Sequence, residues 1–145
     1  MVSYIENSTL PYTQEQLFDL VADVEHYSEF LPWWIKAKTN REGDTIHVEQ
    51  TLNFGPFFNY RFCSKALLEP PISVHITSSD GPFLHLDIRW QLQPQAFGGC
   101  IITFITEFQF RSQMLQKLFD AFFPEETWQL LKVFETRAHQ LYGSH

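Results

Sequence analysis

From Ile46 to Phe110 the chain alternates, and alternation over that length leaves few folds open. Ile46, Val48, Gln50, Leu52 and Phe54 are interleaved with His47, Glu49, Thr51 and Asn53. Phe58, Tyr60, Phe62, Ser64, Ala66 and Leu68 alternate with Asn59, Arg61, Cys63, Lys65 and Leu67, and Val74, Ile76 and Ser78 continue the pattern. Leu84, Leu86, Ile88, Trp90 and Leu92 then alternate with His85, Asp87, Arg89 and Gln91; Ile102, Phe104, Thr106, Phe108 and Phe110 with Thr103, Ile105, Glu107 and Gln109. Successive side chains of a strand point to opposite faces, so each run predicts a strand with one apolar and one wet face. Gly55-Pro56, Pro70-Pro71, Asp80-Gly81-Pro82 and Phe97-Gly98-Gly99 separate the runs with turn chemistry. Trp34 to Asn40, followed by a turn at Arg41-Glu42-Gly43-Asp44, and Val2 to Thr9 read as two more strands. Short turns between successive strands imply an antiparallel meander.

A sheet with one apolar face must bury it. Ser112 to Tyr142 supplies the cover. Thr127, Leu130, Leu131, Phe134, Ala138 and Leu141 fall at helical spacing, and Leu115, Phe119, Phe122 and Phe123 extend the stripe towards the N-terminal end. Ser112 fits an N-cap and Gly143 a C′ glycine. Pro124 interrupts the stripe, which predicts a kink or two helices in series. Near the N-terminus, Thr13-Gln14-Glu15-Gln16 has the form of a capping box, and Leu17, Leu20, Val21 and Val24 follow at helical spacing. A helix is therefore expected over Gln14 to Ala22, and a second short helical turn at Tyr27, Phe30 and Leu31, ended by Pro32. The fold class is α+β: a curved antiparallel sheet of about seven strands around a C-terminal helix, with two short helices after the first strand. Residues 1–145 read as one domain.

The chain carries 15 phenylalanines, and its aromatic fraction is 17%. A buried Phe stabilises by about 1.5–3 kcal/mol, so the core has ample driving force, and the surplus of aromatic surface also suits an apolar ligand cavity. The net charge of −7, without a Lys/Arg stripe, disfavours direct contact with nucleic acid. Cys63 and Cys100 show no C-x-x-C spacing and read as reduced, packed thiols. Met1 to Leu10 has no signal-peptide pattern, and no run reaches the ~18 apolar residues of a membrane span. These features predict a cytoplasmic protein.

Particular residues carry a resemblance. Leu10-Pro11-Tyr12-Thr13, Gln16 to Val24, and Tyr27-Ser28-Glu29-Phe30-Leu31-Pro32-Trp33 resemble the opening of the coenzyme Q-binding, polyketide cyclase-like family of START-like, helix-grip domains. Asp80-Gly81-Pro82-Phe83 with Trp90 resembles its middle hairpin. Phe104, Phe108-Gln109-Phe110 and Phe134-Glu135-Thr136-Arg137-Ala138 resemble its last strand and helix. The resemblance implies a lipid-sized cavity and a polyprenyl quinone such as ubiquinone as ligand, in support of respiration. It also admits two other readings: a ribosome-association toxin branch that acts on translation, and a cyclase or dehydrase.

The residues themselves supply little catalytic chemistry. Six histidines show no metal spacing, and His47, His75 and His85 fall on the wet face of the sheet. No nucleophile elbow, phosphate loop or zinc pattern occurs. No catalytic residue, metal or cofactor is therefore assigned, and the expectation is a binder, not an enzyme. The apolar residues expected to line one interior space are Phe62, Trp90, Phe104, Phe108, Leu130 and Phe134. The inward polar positions are Gln50, Tyr60, Ser64, Ser78 and Thr106, of which Tyr60 and Ser64 are assigned to ligand contact. Arg137, at the edge of the helical stripe, is a further candidate; otherwise it snorkels to water or pairs with Glu126 or a sheet carboxylate. An enzyme of the cyclase type would use Tyr60 or Arg137 to polarise a carbonyl. Trp33 and Trp34, followed by Lys36, Lys38 and Arg41, are expected to dock transiently on a membrane, peripheral to the inner membrane, with alternation turning one of the two rings inward.

Overall fold

The computed structural model describes residues 2–31, 33–53, 59–96, 98–122 and 130–143. Seven antiparallel strands form one sheet: β1 (Val2–Leu10), β2 (Trp34–Glu42), β3 (Thr45–Asn53), β4 (Asn59–Glu69), β5 (Ser73–Ser78), β6 (Phe83–Pro94) and β7 (Cys100–Phe110). Their order is β1-β7-β6-β5-β4-β3-β2, so the meander from β2 to β7 closes onto β1. Helix α1 (Gln14–Ala22) and a 3₁₀ turn (Val24–Glu29) lie between β1 and β2. Among the described residues two helices follow β7: α2 (Gln113–Phe122) and α3 (Leu130–Tyr142). The C-terminal stripe is thus described as two helical segments, and the kink expected at Pro124 lies outside the described residues.

Local chemistry accounts for the boundaries. Thr13 accepts from the Gln16 amide and the Gln16 side chain accepts from the Thr13 amide, both at 3.0 Å, so the capping box starts α1 where expected. At the described start of α3, the Leu131 amide donates to Glu6 Oε1 at 3.0 Å, which supplies a carboxylate where the helix dipole favours one. At its end Gly143 takes φ +84 and donates to the His139 carbonyl at 2.9 Å. The Tyr12 hydroxyl donates to the Gly143 carbonyl and the Tyr142 hydroxyl to the Gln16 carbonyl, both at 3.0 Å, so the last turn of α3 is tied to the start of α1.

Along β3, β4 and β7 burial alternates as the sequence predicts. In β6 it does so only from Leu86 onward. Leu84 is 50% exposed and Phe83 is buried, because the pairing with β7 shifts register between Phe83 and His85. The irregularity inverts the facing of the strand's first residues, as a bulge does. Ser78 also departs from expectation: it sits half-buried at the end of β5 and donates to the Cys63 carbonyl at 2.6 Å. The inward side chains form two clusters. The larger, including Leu17, Val21, Trp90, Phe104, Phe134 and Ala138, lies under α1 and α3. The smaller, with Leu52, Phe62, Phe83, Phe108, Phe110 and Phe119, lies under α2.

Candidate functional site

Between the two clusters lies a cavity of about 230 Å³. Strands and helices each give part of its wall. From the sheet come Leu52, Phe62, Ile76, Ile88, Trp90 and Phe104; Phe83, Leu86, Phe108 and Phe110 close one end of it. Phe119 of α2 and Leu130, Val133 and Phe134 of α3 form the roof, and Tyr27, Leu31, Trp33 and Trp34 the side next to the 3₁₀ turn. The rings fix one another. Trp90 lies 4.7 Å from both Phe104 and Phe134, Phe83 5.0 Å from Phe62, and Phe108 5.2 Å from Phe119. Such offset and edge contacts hold an aromatic wall in one arrangement.

Polar atoms in this wall are few. Gln50 is 2% exposed, and its carboxamide Nε2 donates to Ser64 Oγ at 3.0 Å. Thr106, also 2% exposed, brings a hydroxyl from the middle of β7. The Tyr27 hydroxyl donates to the Val21 carbonyl, and burial pushes its pKa well above the ordinary phenol range, so it stays protonated. The Trp34 indole Nε1 is buried with no hydrogen-bond partner among the described residues, while its ring meets Tyr27 edge-on at 5.3 Å. Among the described residues, no three His, Cys, Asp or Glu side chains converge closely enough to hold a metal ion.

All six apolar residues expected to share an interior space, Phe62, Trp90, Phe104, Phe108, Leu130 and Phe134, border this cavity. The polar residues assigned to ligand contact, Tyr60, Ser64 and Arg137, do not. Tyr60 is half-buried beside the smaller cluster, and Ser64 reaches the wall only through Gln50. Arg137 stands outside, on a face of α3 turned to the 3₁₀ turn. Its Nη2 donates to Glu29 Oε1 at 3.1 Å, and its guanidinium lies 5.2 Å from the Phe30 ring centre. Glu29, not a sheet carboxylate, is thus the partner among the described residues, and Glu126 lies outside them; a stacked ion pair explains why Arg137 keeps only 18% side-chain exposure. Its Nε is buried without a partner among the described residues. Ala138 packs in the larger cluster but does not border the cavity.

Trp33 and Trp34 both line the cavity, where alternation had placed one ring inward. Trp33 precedes β2, and the pairing with β3 shifts between Trp34 and Lys36, so simple parity does not apply. Gln50 and Thr106 were legible as inward polar residues. Phe83, Phe110 and Phe119 were missed as wall residues although apolar; the signal available was the place of Phe83 and Phe110 at one common end of the sheet, and that of Phe119 on the apolar stripe of the following helix. No described helix is long and apolar enough to cross a membrane.

Comparison with known proteins gives this geometry a context. Residues 10–135 match the family described as polyketide cyclase / dehydrase and lipid transport. The ribosome association toxin RatA of Pseudomonas aeruginosa is 32% identical, over 99% of this chain and 100% of that protein. The mitochondrial coenzyme Q-binding protein COQ10 homolog B of Xenopus laevis is also 32% identical, over 98% of this chain and 60% of that longer protein. A START superfamily protein of Mycobacterium smegmatis superposes with a TM-score of 0.79 at 14% identity, over 96% of this chain and 98% of that one, which shows the fold alone.

Proposed function

Because the chain belongs to the polyketide cyclase / dehydrase and lipid transport family, we propose that it is a non-enzymatic binder of an isoprenoid quinone, of the ubiquinone class, whose ring occupies the cavity between sheet and helices. The observation that carries this reading is the wall itself: among the described residues it is apolar nearly throughout, with aromatic rings as its larger part and, on the sheet side, polarity confined to Gln50 and Thr106. A quinone needs that combination, an apolar slot for the ring and a few donors for its carbonyl and methoxy oxygens. The coenzyme Q-binding relative adds weight. A cyclase would need an ionisable group aimed at the ligand. The two residues considered for that role, Tyr60 and Arg137, do not border the cavity. Such binding would support respiratory electron transport.

The test begins with the native protein, purified from its host, extracted with organic solvent and analysed by mass spectrometry for a co-purifying quinone. Filling the cavity supplies the second arm. Ile88→Trp places a large ring into the wall from β6, while Ala138→Trp overpacks the larger cluster; overpacking costs about 1–3 kcal/mol in either place. The expected outcome is loss of quinone binding in folded Ile88→Trp and its retention in folded Ala138→Trp. Equal binding by both would remove the cavity as the site.

A second reading rests on the end-to-end match with the ribosome association toxin. It predicts co-sedimentation with ribosomal subunits and an empty cavity on extraction. The charge of −7 weighs against direct RNA contact, since phosphate backbones reward Lys and Arg.

A further inference from the structure

A ring in this cavity leaves the isoprenoid tail unaccounted for. A void of about 150 Å³ is enough for benzene. The 230 Å³ available here takes a substituted ring and the first carbons of a tail, not a chain of isoprene units. A tail left in water would forfeit the hydrophobic free energy that keeps it in a bilayer. Resting on the quinone reading, we propose that the protein works while seated on an anionic bilayer, through Ile35 and the outward basic corner of β2–β4, and draws in the ring while the tail stays among the lipids.

Position and charge single out this corner. Trp34 pairs with Leu52, and both line the cavity; one step along, Lys36 pairs with Thr51, which pairs with Arg61 on the outward face. The basic row therefore borders the cavity end of the sheet. Ile35, between Trp34 and Lys36, is 54% exposed. Trp33, Trp34, Leu130 and Val133 are the half-buried members of the wall from the start of β2 and of α3, and they mark the opening between those elements. On the outward face of β2–β4, the exposed cations Lys36, Lys38, Arg61 and Lys65 sit with the carboxylate of Glu49, which pairs with Arg61 at 2.7 Å, and that of Asp80, bound to the Cys63 amide; Glu42 and Glu69 share the face at the ends of β2 and β4 away from Lys36. Elsewhere the chain is acidic. It has no Lys or Arg before Lys36, and Glu15, Asp19, Asp23, Glu25 and Glu29 are all exposed on α1 and the 3₁₀ turn. An anionic surface attracts the basic corner, and Ile35 beside it is turned towards the lipid. An RNA surface would use the cations but gains nothing from Ile35 or from the neighbouring cavity.

The experiment uses co-sedimentation with phosphatidylcholine vesicles, with and without phosphatidylglycerol. A parallel titration follows a ubiquinone analogue bearing one isoprene unit. The parent should bind the anionic vesicles and not the neutral ones. Each basic residue near an anionic surface is worth about fivefold in partitioning, so Lys36→Ala with Lys38→Ala should weaken vesicle binding by about 25-fold. Ile35→Ser should weaken it as well. Both variants should bind the short-tailed quinone like the parent. Failure of the parent to bind anionic vesicles, or equal binding by parent and double variant, overturns the proposal. So does vesicle-independent binding of a short RNA that the double variant loses. A parent that docks on vesicles but ignores the short-tailed quinone leaves the docking surface standing and removes the quinone reading.

Discussion

Gln50 is a carboxamide in an apolar wall, and a buried amide is costly unless bonded. Ser64 supplies that bond from the neighbouring strand at 3.0 Å. Ser64→Ala strands a buried group and is expected to destabilise the fold by about 1–3 kcal/mol; adding Gln50→Leu should recover much of the loss, because removing both partners costs less than removing one. Urea unfolding of the two variants checks this, and a double variant weaker than Ser64→Ala would show that Gln50 has another partner. On the opposite face Asp87 accepts from Arg89 Nε at 3.2 Å and lies 2.9 Å from His75 Nε2. Burial pushes its carboxyl up, but His75 and Arg89 together outweigh burial and hold it below the ordinary carboxylate range. A depressed folded-state pKa stabilises above the unfolded value, and that contribution is lost as pH falls through the folded value. Asp87→Asn should therefore lower stability at neutral pH and flatten the acid limb of the stability profile. A variant whose acid limb matches the parent's would show that Asp87 contributes nothing to it.

At the scale of elements, α1 was the most legible part of the chain, because two independent signals agree there. The capping box marks its start, and Leu17, Leu20 and Val21 mark its buried face; the helix runs over Gln14–Ala22 as the sequence implies. Thr13→Ala should cost about 0.5–2 kcal/mol, with α1 amides exchanging faster than those of β7. The strands were legible for a similar reason: a period of 2 survives wherever pairing is regular. It failed at Leu84 and at Trp33–Trp34, where shifts of register re-aim side chains and no local residue announces them. Among the candidate residues, those with an apolar reason to be inside were placed by periodicity alone, of 2 in the strands and 3.6 for Leu130 and Phe134. Arg137 was not, since its partner Glu29 lies 108 positions away and only the packing of α3 on the 3₁₀ turn brings them together. The resemblance carried the architecture of the whole chain, but it could not carry the roles of Tyr60 or Ser64, which depend on which atoms border the cavity.

The whole molecule is divided by its cavity, and the division has consequences for dynamics. The larger cluster is shared by α1 and α3, which bury Leu17, Phe18, Leu20 and Val21 from one and Leu131, Phe134 and Ala138 from the other. Over its described side chains, Gln113 to Ala121, α2 buries Phe119 alone, while Met114 is 71% exposed. Burial of one Phe is worth about 1.5–3 kcal/mol, so the described part of α2, with Leu115 and Leu118 only half-buried beside Phe119, is held more weakly than α1. Local opening free energies follow such differences. Phe119 also borders the cavity, so a bound ring would give it a partner on its open side. Amide exchange read by mass spectrometry should then find α2 exchanging well before α1 in the empty protein. Saturation with the one-isoprene ubiquinone analogue should slow α2 by more than it slows α1. At a ligand concentration of about 100 times Kd, global stability should rise by about 2.7 kcal/mol, which sets the ceiling for changes that reflect global unfolding alone. Uniform slowing of both helices would mean that the ligand stabilises the molecule as one unit. Selective slowing of α2 would mean that the ligand joins the two clusters through Phe119.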